Sequence, residues 1–327
     1  MYVVEDTSAA RLQAAPAAVD VFRKMRLGLS VHWGLYALIG HGEWVMHQEQ
    51  IPVAEYEQLA TRFNPERLSA DAWVDLIQEM GGKGFLITAK HHDGFCMYDT
   101  QLSDYKVTKT PFGRDPIAEL AEACHRRGIA LHFYYSLLDW HHPAYRTDWP
   151  TYVSYYQGQV RELCTRYGEI AGVLFDGYWP RTDFTEQTEY FRPGGDWDLA
   201  GTYDLIHSLQ PGAMVVNNHH VLPLKGEDYQ VWELDLPGEN TIGFNITEMG
   251  QLPFVTWFNV NRGWSYFVGE QQVKPAEQLI EYVRRSGEHK AVCWLNVGPT
   301  PEGEILTEEA DALRQVGQWM AQNAVDV

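Results

Sequence analysis

Short apolar runs alternate with amphipathic stretches along most of this 327-residue chain. This rhythm is typical of β/α units, in which each buried strand of a parallel sheet is followed by a helix that covers it. The pattern predicts strands at Leu27–His32, Gly84–Thr88, Ile129–Tyr135, Gly172–Asp176, Met214–Asn217 and Ala291–Leu295. It predicts helices at Ala70–Met80, Pro116–Arg127, Tyr152–Tyr167, Asp198–Leu209, Pro275–Gly287 and Thr307–Asn323.

The segment from His219 to Tyr266 breaks this rhythm, because it is rich in Gly, Pro and Asn and has weak periodicity. It is too long for an ordinary connection, so we interpret it as a lid or a binding loop. No strand-rich pattern follows residue 307. We therefore predict one domain over residues 1–327, a (β/α)8 TIM-like barrel with one or two irregular strands.

Polar residues follow five consecutive predicted strands. The strand ends carry His32, the pair His91-His92, the Tyr134-Tyr135-Ser136 run, Asp176, and Asn217-Asn218. An Asp after a strand is also a common helix N-cap, so Asp176 alone would not decide between structure and chemistry. Catalytic groups of α/β barrels lie at the carboxyl ends of the strands, and polar residues at five of these ends favour an active site.

Composition restricts the classes of ligand. A net charge of −19 argues against nucleic acid or an anionic membrane as a partner, and no run approaches the ~20 apolar residues of a membrane span. Twelve Trp, eighteen Tyr and thirteen His favour a sugar site, because aromatic faces pack on C–H groups and imidazoles bond to hydroxyls. The four cysteines form no CxxC pair, and Met1–Arg11 has no apolar leader segment. We expect a cytoplasmic protein without a cofactor.

Several motifs, in this order, resemble the α-L-fucosidases of glycoside hydrolase family 29. They are His32-Trp33-Gly34, Gly42-Glu43-Trp44, Lys90-His91-His92-Asp93-Gly94-Phe95, Tyr134-Tyr135-Ser136, Phe175-Asp176-Gly177 and Leu295-Asn296-Val297-Gly298-Pro299. The resemblance runs from about Phe22 to Asn323 and implies a retaining exo-α-L-fucosidase that acts on small fucosylated oligosaccharides.

The resemblance also assigns residues. It implies that Asp176 is the nucleophile and that the fucose pocket is lined by His32, Glu43, Trp44, His91, His92 and Tyr134. We add Asn218, at a strand end, and Trp264, which offers an apolar face for the C6 methyl group, as Trp179 and Phe95 also do. Many family members carry a β-sandwich after the barrel, which we do not expect here. Loops, or a neighbouring subunit of a homo-oligomer, would then shape access to the pocket.

This sequence departs from the family pattern at the position of the general acid. Val255 stands where many members have a glutamate, and a valine cannot carry a proton. Glu248, Glu239 and Glu233 lie in the same irregular segment. We favour Glu248 in the Asn240–Leu252 loop, because Gly243 and Gly250 flank it and suit a segment that closes over bound sugar.

Two other functions remain open at this stage. The valine at position 255 would also fit a non-catalytic fucose-binding barrel. The thirteen histidines would fit a metal-dependent barrel hydrolase, with His32, His91, Asp176 and His219 as ligands. No His-x-His pair ends the first strand and no bridging lysine is evident, so we expect no metal site.

Overall fold

The computed structural model describes residues 12–179, 197–269 and 271–323. Within these ranges, parallel strands pair in the order β5-β4-β3-β2-β1-β8-β7-β6 and form a nearly closed barrel. The strands are β1 (Leu27–Val31), β2 (Gly84–Lys90), β3 (Ala130–Ser136), β4 (Gly172–Asp176), β5 (Met214–Asn217), β6 (Gln230–Glu233), β7 (Phe254–Asn259) and β8 (Ala291–Val297). The predicted barrel is confirmed. The segment Met1–Arg11, in which the sequence shows no apolar leader, lies outside the described ranges.

Helices precede, connect and follow these strands along the chain. They are α1 (Pro16–Met25), α2 (Val45–Gln48), α3 (Val53–Tyr56), α4 (Ala70–Glu79), α5 (Pro116–Arg127), α6 (Ala144–Thr147), α7 (Trp149–Arg166), α8 (Leu199–Leu209), α9 (Ala276–Glu288) and α10 (Thr307–Gln322). Local signals fix several ends: the Ser69 side chain accepts a hydrogen bond from the Ala72 amide, and Gly128 ends α5 with φ 66°. Among the described residues, no helix combines the length and apolar character that crossing a bilayer requires.

The segment from His219 to Tyr266 is not one long loop, as the sequence led us to expect. It contributes β6 and β7, which pair with each other and extend the sheet from β8. β6 has only four residues with alternating burial, so it gives no continuous apolar run. β7 is as apolar as several of the predicted strands, but it lies within a segment rich in Gly, Pro and Asn, and the sequence alone therefore predicts it as part of a loop.

Val255 belongs to the interior of the barrel, below the strand ends where the pocket lies. This residue lies near the start of β7, is 0 % exposed, and belongs to a cluster of buried side chains with Tyr134 and Trp257. The carboxyl end of β7 is Asn259, four residues further on. A side chain at position 255 therefore packs below the rim of the barrel. Its lack of a carboxylate is no evidence for a non-catalytic barrel.

The amino-terminal end of the barrel is closed by large side chains. Phe22 of α1 packs against Tyr229, with ring centroids 4.8 Å apart. Trp294 of β8 lies across the lumen, so close to Gly28 that a Cβ there would come within 2.1 Å of its ring. In the part of the chain that the structure describes, these side chains close the amino-terminal end, so a ligand would enter at the carboxyl end of the barrel.

Candidate active site

A pocket of about 290 Å³ opens at the carboxyl ends of the strands. Its lining residues are His32, Glu43, Trp44, His91, His92, Asp176, Trp179, His220, Glu233, Phe244, Trp257 and Trp264. The structure thus brings together most of the residues predicted from sequence. Tyr134 and Asn218 lie beside this lining and hydrogen-bond to its carboxylates. Phe95 packs instead in the core against Phe63.

The adjacent histidines His91 and His92 both line the pocket. On a continuous strand they would point to opposite faces, but β2 ends at Lys90 after a register shift between Thr88 and Lys90. The two rings lie 4.1 Å apart. His92 Nδ1 is held 2.6 Å from Ser136 Oγ. The break in the strand is what allows two neighbouring residues to serve one site.

Three imidazoles of the pocket, those of His32, His91 and His92, are neutral at pH 7. Burial lowers the pKa of His32 to about 4, although its bond to Asn296 opposes the shift. Burial also lowers the pKa of both His91 and His92 well below the usual value. The Asn296 amide donates to the Trp264 carbonyl, so its Oδ1 accepts from His32 Nδ1 at 2.8 Å and leaves His32 Nε2 as an acceptor. Neutral imidazoles can bond to sugar hydroxyls without placing a fixed charge beside them.

Asp176 ends β4 at the base of the pocket, where it is 9 % exposed. Tyr134 donates to its Oδ2 at 2.7 Å, and the Gly177 amide donates to its Oδ1 at 2.8 Å. Burial raises the pKa of Asp176 to about 6, while the bonds from Tyr134 and the Gly177 amide oppose the shift. The carboxyl group is therefore mostly ionised at pH 7 and has a fixed orientation.

Glu233 is a second carboxyl group in the pocket, at the end of β6. Asn218 Nδ2 donates to its Oε2 at 2.8 Å. Burial, and then the charge of Asp176, raise the pKa of Glu233 to about 8, so it holds a proton at pH 7. The sequence named Glu233 only as a third choice. The signal in the sequence is that Glu233 directly follows the aromatic Trp232, as Asp176 follows Phe175.

The other two glutamates considered from sequence lie elsewhere. Glu248 is exposed, and its backbone carbonyl accepts a bond from Gln230. Glu239 forms a surface ion pair with Arg285 at 2.9 Å. Neither residue lines the pocket, so the preference for Glu248 gains no support from the structure.

Glu43 is a further carboxyl group of the pocket. Burial raises the pKa of Glu43, and the charge of Asp176 acts in the same direction, while its own backbone and the neighbouring Ser265 oppose part of the shift. Its placement agrees with the predicted role in binding sugar hydroxyls. Among the described residues, no cluster of three or more His, Cys, Asp or Glu side chains has the arrangement of a metal site.

Comparisons with known proteins agree with this geometry. A family model described as Alpha-L-fucosidase matches residues 5–325. The chain belongs to the alpha-L-fucosidase family. "Alpha-L-fucosidase 1" of Arabidopsis thaliana is 31% identical over 281 residues, which are 78% of this chain and 52% of that protein. The chain thus spans about half the length of the plant relatives it matches.

Solved structures of the family share the fold. "Alpha-L-fucosidase isoenzyme 1 from Paenibacillus thiaminolyticus" superposes with a TM-score of 0.81 at 32% identity, covering 94% of this chain and 76% of that one. "Alpha-L-fucosidase AlfC from Lactobacillus casei in complex with alpha-L-fucose product" has a TM-score of 0.75 at 28% identity and covers 94% and 99%. Another AlfC structure contains Fuca(1,6)GlcNAc.

Proposed function

We propose that this protein is a retaining exo-α-L-fucosidase that removes fucose from small fucosylated oligosaccharides. One observation carries the proposal: of the three carboxyl groups that line the pocket, two have separated pKa values, about 6 for Asp176 and about 8 for Glu233. Two carboxyl groups in different protonation states are what glycoside hydrolysis requires of one site. The family and the AlfC complexes with fucose and a fucosyl disaccharide support fucose as the sugar.

Asp176 is the proposed nucleophile. Its ionised oxygen attacks the anomeric carbon, the bond to the leaving-group oxygen breaks, and a covalent fucosyl ester forms. The hydroxyl of Tyr134 fixes the carboxylate for this attack. Water then displaces Asp176 from the anomeric carbon, and the second inversion restores the original configuration.

Glu233 is the proposed general acid. It gives its proton to the leaving-group oxygen in the first step and takes a proton from the attacking water in the second. Asn218 donates a hydrogen bond to Glu233. The same side chain favours the ionised form of Asp176, so the two carboxyl groups share a polar neighbour. Glu43 is the second candidate, because it lines the same pocket and burial raises its pKa as well.

The reaction itself is tested by watching a fucosyl disaccharide with ¹H NMR. We expect free fucose to be released first as the α anomer, before mutarotation mixes the two forms. First release of the β anomer would contradict a retaining mechanism. No release from any α-L-fucoside would contradict the proposed activity.

The acid is tested by leaving-group dependence. Glu233→Gln should lower kcat/KM on a fucosyl disaccharide by roughly 10²- to 10⁴-fold, the usual contribution of a general acid. It should affect α-L-fucosyl fluoride far less, because fluoride departs without a proton. Glu248→Gln is the matched control and should leave both substrates unaffected. A selective loss on the disaccharide in Glu43→Gln, with none in Glu233→Gln, would reassign the acid to Glu43.

A further inference from the structure

The position of Glu233 defines where the leaving group lies. A general acid must come within hydrogen-bond distance of the glycosidic oxygen, and the remainder of the leaving group extends away from that oxygen. Under the function proposed above, on which this inference rests, the leaving group occupies space beside Glu233. His220 lies on this side of the pocket, with Nε2 3.8 Å from Glu233 Oε2. Phe244, which lies next to His220, also lines the pocket.

Phe244 packs on the ring of His220. Their centroids are 4.6 Å apart and their planes meet at 54°. His220 is buried, whereas Phe244 is half-buried and lines the pocket. An apolar ring therefore borders the pocket within one side chain of the proposed acid.

The neighbours of Phe244 attach it to the strand that carries Glu233. Asn245 Nδ2 donates to the backbone carbonyl of Glu233 at 2.8 Å and to Asp235 Oδ2 at 2.9 Å. Trp232 Nε1 donates to the backbone carbonyl of Ile246 at 3.0 Å. Asn245 is only 2 % exposed, so these bonds are protected from water. The segment that presents Phe244 is thus held at a fixed distance from the acid.

We propose that Phe244 is the platform for the first ring of the leaving group and determines preference among aglycones. A hexopyranose has a face of C–H groups that packs on an aromatic ring, and burying this face on Phe244 would orient the glycosidic oxygen toward Glu233. The class of ligand is a pyranose ring attached through the oxygen that receives the proton. A leaving group without a ring has nothing to place on this surface.

The test compares two leaving groups in one protein. The quantity measured is the ratio of kcat/KM on a fucosyl-hexosamine disaccharide to kcat/KM on α-L-fucosyl fluoride. Phe244→Ala should lower this ratio roughly five- to ten-fold, the size expected for losing one ring contact. Phe244→Tyr should restore it, because the aromatic face is kept. If the alanine variant folds poorly, Phe244→Leu replaces it in the test. Leucine keeps an apolar side chain without the aromatic face, so this variant should give an intermediate ratio.

The matched control is Met249→Ala, since Met249 is 50 % exposed, follows Phe244 by five residues and does not line the pocket. Its ratio should equal that of the unmodified protein. An unchanged ratio in Phe244→Ala would overturn the inference, and so would an equal fall in Met249→Ala, which would point to general disturbance of the segment. Absence of activity on both substrates in the unmodified protein would instead refute the proposed function.

Discussion

The separated pKa values of Asp176 and Glu233 predict the shape of the pH–rate profile. On a fucosyl disaccharide, kcat/KM should follow a bell with limbs near pH 6 and pH 8. At pH 7 about nine-tenths of Asp176 is ionised and about nine-tenths of Glu233 is protonated, so most molecules are in the active form. At pH 5 or pH 9 only about one-tenth of one group remains in the required form, so the rate constant falls about ten-fold per further pH unit.

The two limbs have different origins and can be separated. The ionised form of Asp176 is needed for every substrate, so the acidic limb should persist on α-L-fucosyl fluoride. The proton of Glu233 is needed only when the leaving group is poor, so the alkaline limb should vanish on the fluoride and in Glu233→Gln. The assay is kcat/KM from pH 4.5 to 9.5, which reports the first chemical step. An alkaline limb near pH 8 that survives in Glu233→Gln would refute the assignment of the acid.

Three further predictions concern single side chains. Asp176→Ala should lower turnover by roughly 10³-fold or more, while circular dichroism shows an intact fold. Added azide should restore part of the turnover by acting as an external nucleophile. Near-normal turnover in this variant would contradict the proposed mechanism. Tyr134→Phe removes a bond that lowers the pKa of Asp176, so the acidic limb should move to higher pH; a shift to lower pH would contradict that role. Glu309→Gln should raise the free energy of unfolding, measured in urea, at pH 8 and change it little at pH 4.5. Burial raises the pKa of Glu309 to about 8, so the stability that its neutral form contributes is complete below about pH 4.5 and is lost as pH rises through 8.

The exposed neighbour Glu308 provides the control for the last prediction, because Glu308→Gln removes the same charge from the first turn of the same helix. It should not reproduce the gain at pH 8. An equal gain in both variants would show that the effect comes from overall charge and not from burial of Glu309.

The sequence by itself predicted the barrel and much of the pocket. Most positions of strands β1 to β5 and β8 are apolar and nearly all are buried, so each strand can be recognised as an apolar run without knowledge of its neighbours. Locating an apolar run also locates the polar residue at its end, which is why Asp176 and His32 could be predicted as site residues. Specific motifs then added Glu43 and Trp44, which follow no strand.

Only the tertiary structure decided which glutamate carries a proton. The pKa of Glu233 depends on its burial and on the charge of Asp176, which is 57 residues away in sequence and adjacent only after the sheet curls. β6 could not be predicted from the sequence, because a short strand with alternating burial resembles part of a loop. Glu248 and Val255 attracted attention through their places in the sequence, yet one lies on the surface and the other inside the barrel. Local pattern determines which residues form strands, whereas burial and proximity between distant strands determine what those residues can do.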